Sequence, residues 1–137
     1  MPLPLGTVTL SSQRDRMLLT ALDDQDSAPV ALLPGEGAAS QSWLVNNVAG
    51  TFTLRSGQAE SLFLSARSAD PMSPLVLSNN PSLARWTVVE EDDGIILQLA
   101  DDPWQVAYSL LRIFPPRLAL MDAEFGNSIS WIPAPAE

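Results

Sequence analysis

The sequence contains no cysteine, no histidine and no lysine. Without cysteine there is no disulfide, no thiolate nucleophile and no thiolate metal site. That suits a reducing compartment. Without histidine the commonest general base and the commonest metal ligand are missing. All seven basic residues are arginine, against 16 acidic ones, for a net charge of −9. Such a chain repels phosphate backbones and anionic membranes, so neither nucleic acid nor a membrane is expected as partner. No apolar run approaches the roughly 20 residues that span a bilayer. The opening MPLPLGTVTL has neither a basic n-region nor a long apolar h-region, so it does not read as a secretory signal, and a cytoplasmic location is expected.

What is present is a substantial apolar fraction, 46% of 137 residues, with four tryptophans. That is enough for one packed domain and argues against disorder. The organisation shows in repetition. GTVTL at 6–10 returns as GTFTL at 50–54, and Gly6, Gly50 and Gly94 are 44 residues apart. MLLTAL, LFLSAR and QVAYSL form a second set, beginning at 17, 62 and 105. PVALL, PLVLS and RLALM form a third, beginning at 29, 74 and 117. QSWLV, ARWTV and ISWIP close each unit, with Trp43, Trp86 and Trp131 in register. The runs are short, alternate with period two and are separated by turn-rich connectors. Thr7, Thr9, Thr51 and Thr53 fall on one face; Val8, Leu10, Phe52 and Leu54 fall on the other. Twelve prolines and the close turns leave no convincing helix.

Three units of four strands are too few for a propeller, which needs about four to eight blades. They suit a six-stranded barrel capped by three hairpins. The expected fold is therefore all-β: a β-trefoil of twelve short strands with pseudo-three-fold symmetry and repeats of about 44 residues. Its lobes are expected at about 5–48, 49–92 and 93–134 within a single domain. The repeated tryptophans are expected where the lobes meet.

No catalytic residue, metal ligand or cofactor site is expected. Glu90-Glu91-Asp92-Asp93 and Asp101-Asp102 bring carboxylates together, as glycosidases and calcium sites do, but equally read as solvated turns. Binding by loops on a rigid scaffold is more natural. In ADDPWQVAY, Trp104 stands outside the tryptophan register, in the turn before the second strand of the third unit. It reads as a platform under a sugar ring, with Asp101 or Asp102 accepting hydroxyl hydrogen bonds and Tyr108 as a second wall. It also reads as a plug closing one barrel end. In SNNPSLAR, Asn79, Asn80 and Arg85 offer amide and guanidinium groups, or a plain turn. The alternative function is protease inhibition. SSQRDR carries Arg14 and Arg16, and a rigidly held arginine can enter the acidic pocket of a trypsin-like protease.

LLTALDDQDSAPVALLPGEGAASQSWLV resembles the first lobe of small cysteine-free mushroom β-trefoil lectins, with PLVLSNNPSLARWTVV and VAYSL as later anchors. Gln41-Ser42-Trp43 also matches the Q-x-W mark of ricin-B-type trefoils; Ala84-Arg85-Trp86 and Ile129-Ser130-Trp131 do not. The acidic mushroom mycocypins, which inhibit proteases, look similar too. The lectin resemblance implies a non-enzymatic fungal defence protein that binds glycans or glycoproteins as a monomer or homodimer. It places a sugar site in the second lobe on Asn79, Asn80 and Trp86, with Phe63 as the strand aromatic. Ala84 and Arg85 stand where those lectins carry an aromatic. The mycocypin resemblance implies a protease as the partner instead.

Overall fold

A computed structural model describes residues 3–110 and 113–135, except the Pro81 side chain; Met1 and Pro2 of the N-terminal stretch lie outside the described residues. The described residues form twelve strands: β1 (Gly6–Ser12), β2 (Leu18–Ala21), β3 (Val30–Leu33), β4 (Trp43–Val48), β5 (Thr51–Ser56), β6 (Phe63–Ala66), β7 (Leu75–Ser78), β8 (Trp86–Glu91), β9 (Gly94–Leu99), β10 (Trp104–Tyr108), β11 (Leu118–Asp122) and β12 (Trp131–Pro135). Helix is confined to single 3-10 turns at Ala39–Gln41, Pro81–Leu83 and Ala123–Phe125.

Six strands close on themselves. The antiparallel pairs β1–β4, β4–β5, β5–β8, β8–β9, β9–β12 and β12–β1 make a ring. Closure leaves no unpaired edge in the barrel. The other six strands form the hairpins β2–β3, β6–β7 and β10–β11, each attached to the ring through one pair. The hairpins meet each other through a circular set of backbone hydrogen bonds. Leu32 N–H donates to Pro116 (3.0 Å), Leu77 N–H to Ala28 (2.9 Å) and Leu120 N–H to Ser73 (2.9 Å). Barrel, three hairpins and this cyclic contact define a β-trefoil.

The three units can be superposed by their strand register. Ser11 pairs with Leu18, Arg55 with Phe63 and Gln98 with Gln105. Counting from these pairs aligns Leu10 with Leu54 and Leu97, and Leu19 with Leu64 and Val106. Those six side chains, together with Leu32, Leu77, Leu120 and the three repeated tryptophans, have no exposed surface. Large apolar groups in matched layers thus fill the interior from all three directions, as the alternating pattern requires.

Two of the evenly spaced glycines share a structural place: Gly6 and Gly50 each lie five residues before the paired positions Ser11 and Arg55, with φ 96° and 87°. Gly50 follows Ala49 in the tight turn between β4 and β5, where both residues have positive φ (87° and 54°). That is the geometry a two-residue hairpin demands. Gly94 opens β9, and a Cβ there would come 2.5 Å from the Trp131 carbonyl oxygen. Gly94 lies four residues before Gln98 and serves close approach, so it does not occupy the place that Gly6 and Gly50 share. The face assignment also differs at one residue. Thr53, grouped with Thr7, Thr9 and Thr51, is 6% exposed, the most buried of the four, and shares a groove with Arg55, Phe63 and Arg85.

The tryptophans show where the units diverge. The Trp43 indole N–H donates to Leu19 C=O (3.0 Å) and that of Trp86 to Leu64 C=O (3.1 Å). The matched carbonyl in the third unit, Val106, already accepts Ile129 N–H (3.0 Å), and Trp131 Nε1 is buried without a partner. The segments ahead of the tryptophans differ too. Buried ahead of Trp43, Gln41 donates to Pro34 C=O (2.8 Å) and accepts from Glu36 N–H (2.8 Å), which fixes the approach to β4. Neither Ala84 nor Ile129 can do this in the other units, so the lost Trp131 bond traces to the Val106 carbonyl and not to this position.

Removing an indole N–H that has a partner also leaves the partner carbonyl unsatisfied in the core. Trp43→Phe and Trp86→Phe are therefore each expected to lose about 1 kcal/mol more than Trp131→Phe, beyond a shared loss of ring volume. Urea unfolding of the three variants measures this; equal losses would contradict it.

Candidate functional site

The residues expected to form one sugar site around Trp104 are separated by the strand itself. Trp104 is the first residue of β10, not part of the preceding turn, and pairs with Asp122. Its indole N–H donates to Ala69 C=O (3.1 Å) and its ring leans on the core. Its polar tip is thus already engaged. Asp101 is exposed with φ 67°, and the Asp102 carbonyl accepts Gln98 Nε2 (3.1 Å). Tyr108 ends the same strand, about 13 Å away at 3.3 Å per residue. The structure does not bring Tyr108 to Asp101, Asp102 and Trp104.

The second expected site also changes. Trp86 has no exposed surface and donates its N–H to Leu64, so it presents no ring to a ligand; this corrects its assignment as a sugar contact. Asn79 and Asn80 are exposed. Asn80 Oδ1 accepts Ser82 N–H (3.0 Å), a turn-forming contact, and Asn79 N–H donates to Asp26 of the first unit (3.0 Å). Arg85 is exposed and borders a groove that also includes Phe63.

Tyr108 instead meets the loop that the sequence suggested as an inhibitory tip. Ser12 N–H donates to Met17 C=O (2.8 Å) and Arg16 N–H to Ser12 C=O (2.8 Å), which closes residues 12–17 into a compact turn. Gln13 N–H donates to Ser130 C=O (2.8 Å) and ties this turn to the segment ahead of β12. The result lays the Arg14 guanidinium over Tyr108, 4.6 Å from the ring centroid, a cation–π contact. Asp15 accepts the phenol O–H (2.8 Å) and lies 3.6 Å from Arg14 Nε. Arg14 is tethered to Tyr108 and Asp15 while its side chain stays 74% exposed; Arg16 is exposed as well, at φ 58°.

Gln13, Arg14, Tyr108, Asn127, Ser128 and Ser130 enclose a cleft of about 220 Å³. Asn127 is locked to Tyr108 twice: its Nδ2 donates to Tyr108 C=O (2.8 Å), and its own carbonyl accepts Tyr108 N–H (3.2 Å). The amide must turn its NH₂ toward that carbonyl, so Oδ1 points away from it. Asn127 Oδ1 and Ser130 Oγ are both buried with no partner. Ser130 has its place because Gly94 lacks a Cβ, which would come 2.7 Å from the hydroxyl. Asparagine, serine and arginine side chains thus line one cleft beside an aromatic ring, with the Asn127 amide oxygen and the Ser130 hydroxyl buried in its wall. Acceptor, dual-role group and donor together match the needs of neighbouring hydroxyls.

Asn127 and Ser130 were not among the residues expected from sequence. The signal was the position of EFGNSIS, just ahead of a closing tryptophan. The lectin resemblance directed attention to that position only in the second unit.

No family model matches the sequence, and no curated protein matches it. Solved structures do. They share the β-trefoil fold, and fungal lectins are among them. The Rhizoctonia solani agglutinin superposes with a TM-score of 0.86 at 15% identity, over 98% of this chain and 98% of its own. The Macrolepiota procera ricin B-like lectin, solved with lactose, gives 0.82 at 14% identity, over 98% and 99%. A mosquitocidal holotoxin contains a similar region, with a TM-score of 0.86 at 14% identity over 99% of this chain; this chain spans 18% of that toxin. At these identities the likeness is one of fold.

Tyr108 is the one tyrosine of the chain, which makes its titration readable. Its pKa is raised above the ordinary 10.0, first by burial and then by the hydrogen bond to Asp15, with the Asp15 charge adding to the rise; Ser12 and Arg14 oppose it. The folded protein keeps this proton past the pH at which the unfolded chain releases it. The resulting stability is complete below pH 10 and is lost as pH rises through the higher folded value. Asp15→Asn is expected to lower the midpoint of the phenolate absorbance titration. An unchanged midpoint would remove Asp15 as a cause.

Proposed function

We propose that the protein is a carbohydrate-binding module, a lectin without enzymatic activity, and that the Tyr108 cleft is its sugar site. The observation that carries this reading is the cleft itself, which places Arg14, Asn127, Ser128 and Ser130 beside Tyr108. Buried polar groups are ordinarily satisfied, and Asn127 Oδ1 and Ser130 Oγ, closed in the wall without partners, gain them only if the wall opens to a ligand. A sugar is such a ligand: its hydroxyls take the polar atoms and its C–H face takes the ring. Further support comes from the scaffold, shared in fold with a lectin solved with lactose. The partners under this reading are glycans or glycoproteins. The same proposal treats the three units as copies of one segment of about 44 residues, of which the third kept an open site.

The test is a glycan array followed by calorimetry with the best hit. Tyr108→Ala and Asn127→Ala are each expected to weaken binding by about tenfold or more, as loss of a central contact does, while the circular dichroism spectrum stays that of the parent. A protein that is folded and binds no glycan on the array would reject the reading.

A further inference from the structure

The strand register allows the three units to be compared position by position on their outer surface. At the place where the first strand of each unit meets the second, the pairs are Ser11 with Leu18, Arg55 with Phe63 and Gln98 with Gln105. The residue just before each closing tryptophan is Ser42, Arg85 or Ser130. The first unit fills these places with small or neutral groups. In the third, the glutamine pair is satisfied internally: Gln105 Nε2 donates to Gln98 Oε1 (3.2 Å), and Ser128 donates to Gln105 Oε1 (2.7 Å). Only the second unit puts charge there, and it puts two positive charges.

These two arginines face one groove. Leu44, Asn46, Thr53, Arg55, Phe63 and Arg85 line a cavity of about 490 Å³ on the outside of β4 and β5. Among the described residues neither guanidinium has a carboxylate within ion-pair distance, although the chain carries 16 acidic residues. Arg55 is held in place by Phe63, its Cζ lying 5.2 Å from the ring centroid. Its Nε is buried with no hydrogen-bond partner. A buried guanidinium N–H without an acceptor is costly, and a guanidinium is shaped to bind an oxyanion through two parallel bonds. In a protein of net charge −9, two uncompensated arginines in one groove oppose the general repulsion of anions at one spot.

We infer that this groove is a second binding site, which takes the carboxylate or sulfate of an acidic sugar. Arg55 and Arg85 grip the oxyanion, and Asn46 and Thr53 contact the hydroxyls beside it. The inference rests on the glycan-binding reading for the identity of the ligand as a sugar, but not for the oxyanion grip itself.

The test uses the full chain labelled with nitrogen-15, in which the Arg55 Nε–H gives its own resonance. Lactose, sialyllactose, sulfated lactose and inorganic sulfate are titrated in parallel at low salt. The expected result is a downfield move of the Arg55 signal with the acidic sugars and not with lactose. Affinity for at least one acidic sugar should exceed that for lactose by about tenfold, and added salt should erode the difference. Arg85→Gln and Arg55→Gln should abolish this preference while leaving the lactose response of the Tyr108 region unchanged. A larger preference for the sialylated or the sulfated sugar assigns the anion as carboxylate or sulfate. An Arg55 signal indifferent to every acidic sugar and to sulfate overturns the inference, whatever Tyr108 does with lactose. If only inorganic sulfate moves it, the acidic-sugar site is overturned as well. Failure at Tyr108 alone, with the Arg55 response intact, would count against the cleft reading only.

Discussion

Everything described depends on three hairpins hydrogen-bonding to one another in a circle. Leu32, Leu77 and Leu120 each donate a backbone N–H into the neighbouring unit, and each carries a fully buried side chain at the same residue. The polar and apolar parts of one residue are therefore committed at once. No unit can complete its core alone, because the acceptor for its central N–H lies on another. That reciprocity makes three half-stable motifs into one domain, and it is satisfied wholly by backbone. The sequence outside the core is left free to change, and the three units have used that freedom differently.

The divergence is greatest in polar satisfaction and least in packing. The layers of leucine and tryptophan are matched around the axis, whereas the groups that serve them are not. Gln41 anchors the approach to Trp43; Ala84 and Ile129 stand in its place. In the second unit Ser65 Oγ donates to Leu83 C=O (3.0 Å) and steadies the same segment. In the third unit the Val106 carbonyl is spent on Ile129, and Trp131, Ser130 and Asn127 all keep buried polar atoms without partners. The unit with the least internally satisfied polar groups is the one that carries the cleft. An unpaired buried group costs stability, and at a binding site that cost is offset only when a ligand arrives.

The fold was legible because its determinants are local and periodic. Alternation gave the strands, and the recurring tryptophans marked the closing strand of each unit. The matching of Leu10, Leu54 and Leu97 is a plain consequence of that register. The site was not legible in the same way. Tyr108 was singled out, but with the wrong neighbours, because sequence proximity to Trp104 ignores the length of a strand. Its true partner, Arg14, lies 94 positions earlier and reaches it only because β1 pairs with β12 and Gln13 is tied to Ser130. Arg85 was noticed for its loop, yet its companion Arg55 sat inside an apparent strand and was passed over. Contacts made by closing a ring leave no local trace in the chain.

The pairing of β1 with β12, with Val8 opposite Pro135, has a consequence for how such a molecule can be written. A ring has no first member. Joining the two ends and opening the chain at the exposed Ala49–Gly50 turn would produce the same set of strand neighbours, read from the second unit onward. Chain order is then a matter of punctuation, and architecture is indifferent to it. The cleft at Tyr108 is the exception. It is assembled from the first turn of the chain and its last connector, so its walls would change from distant in sequence to nearly adjacent, with no atom of the site displaced.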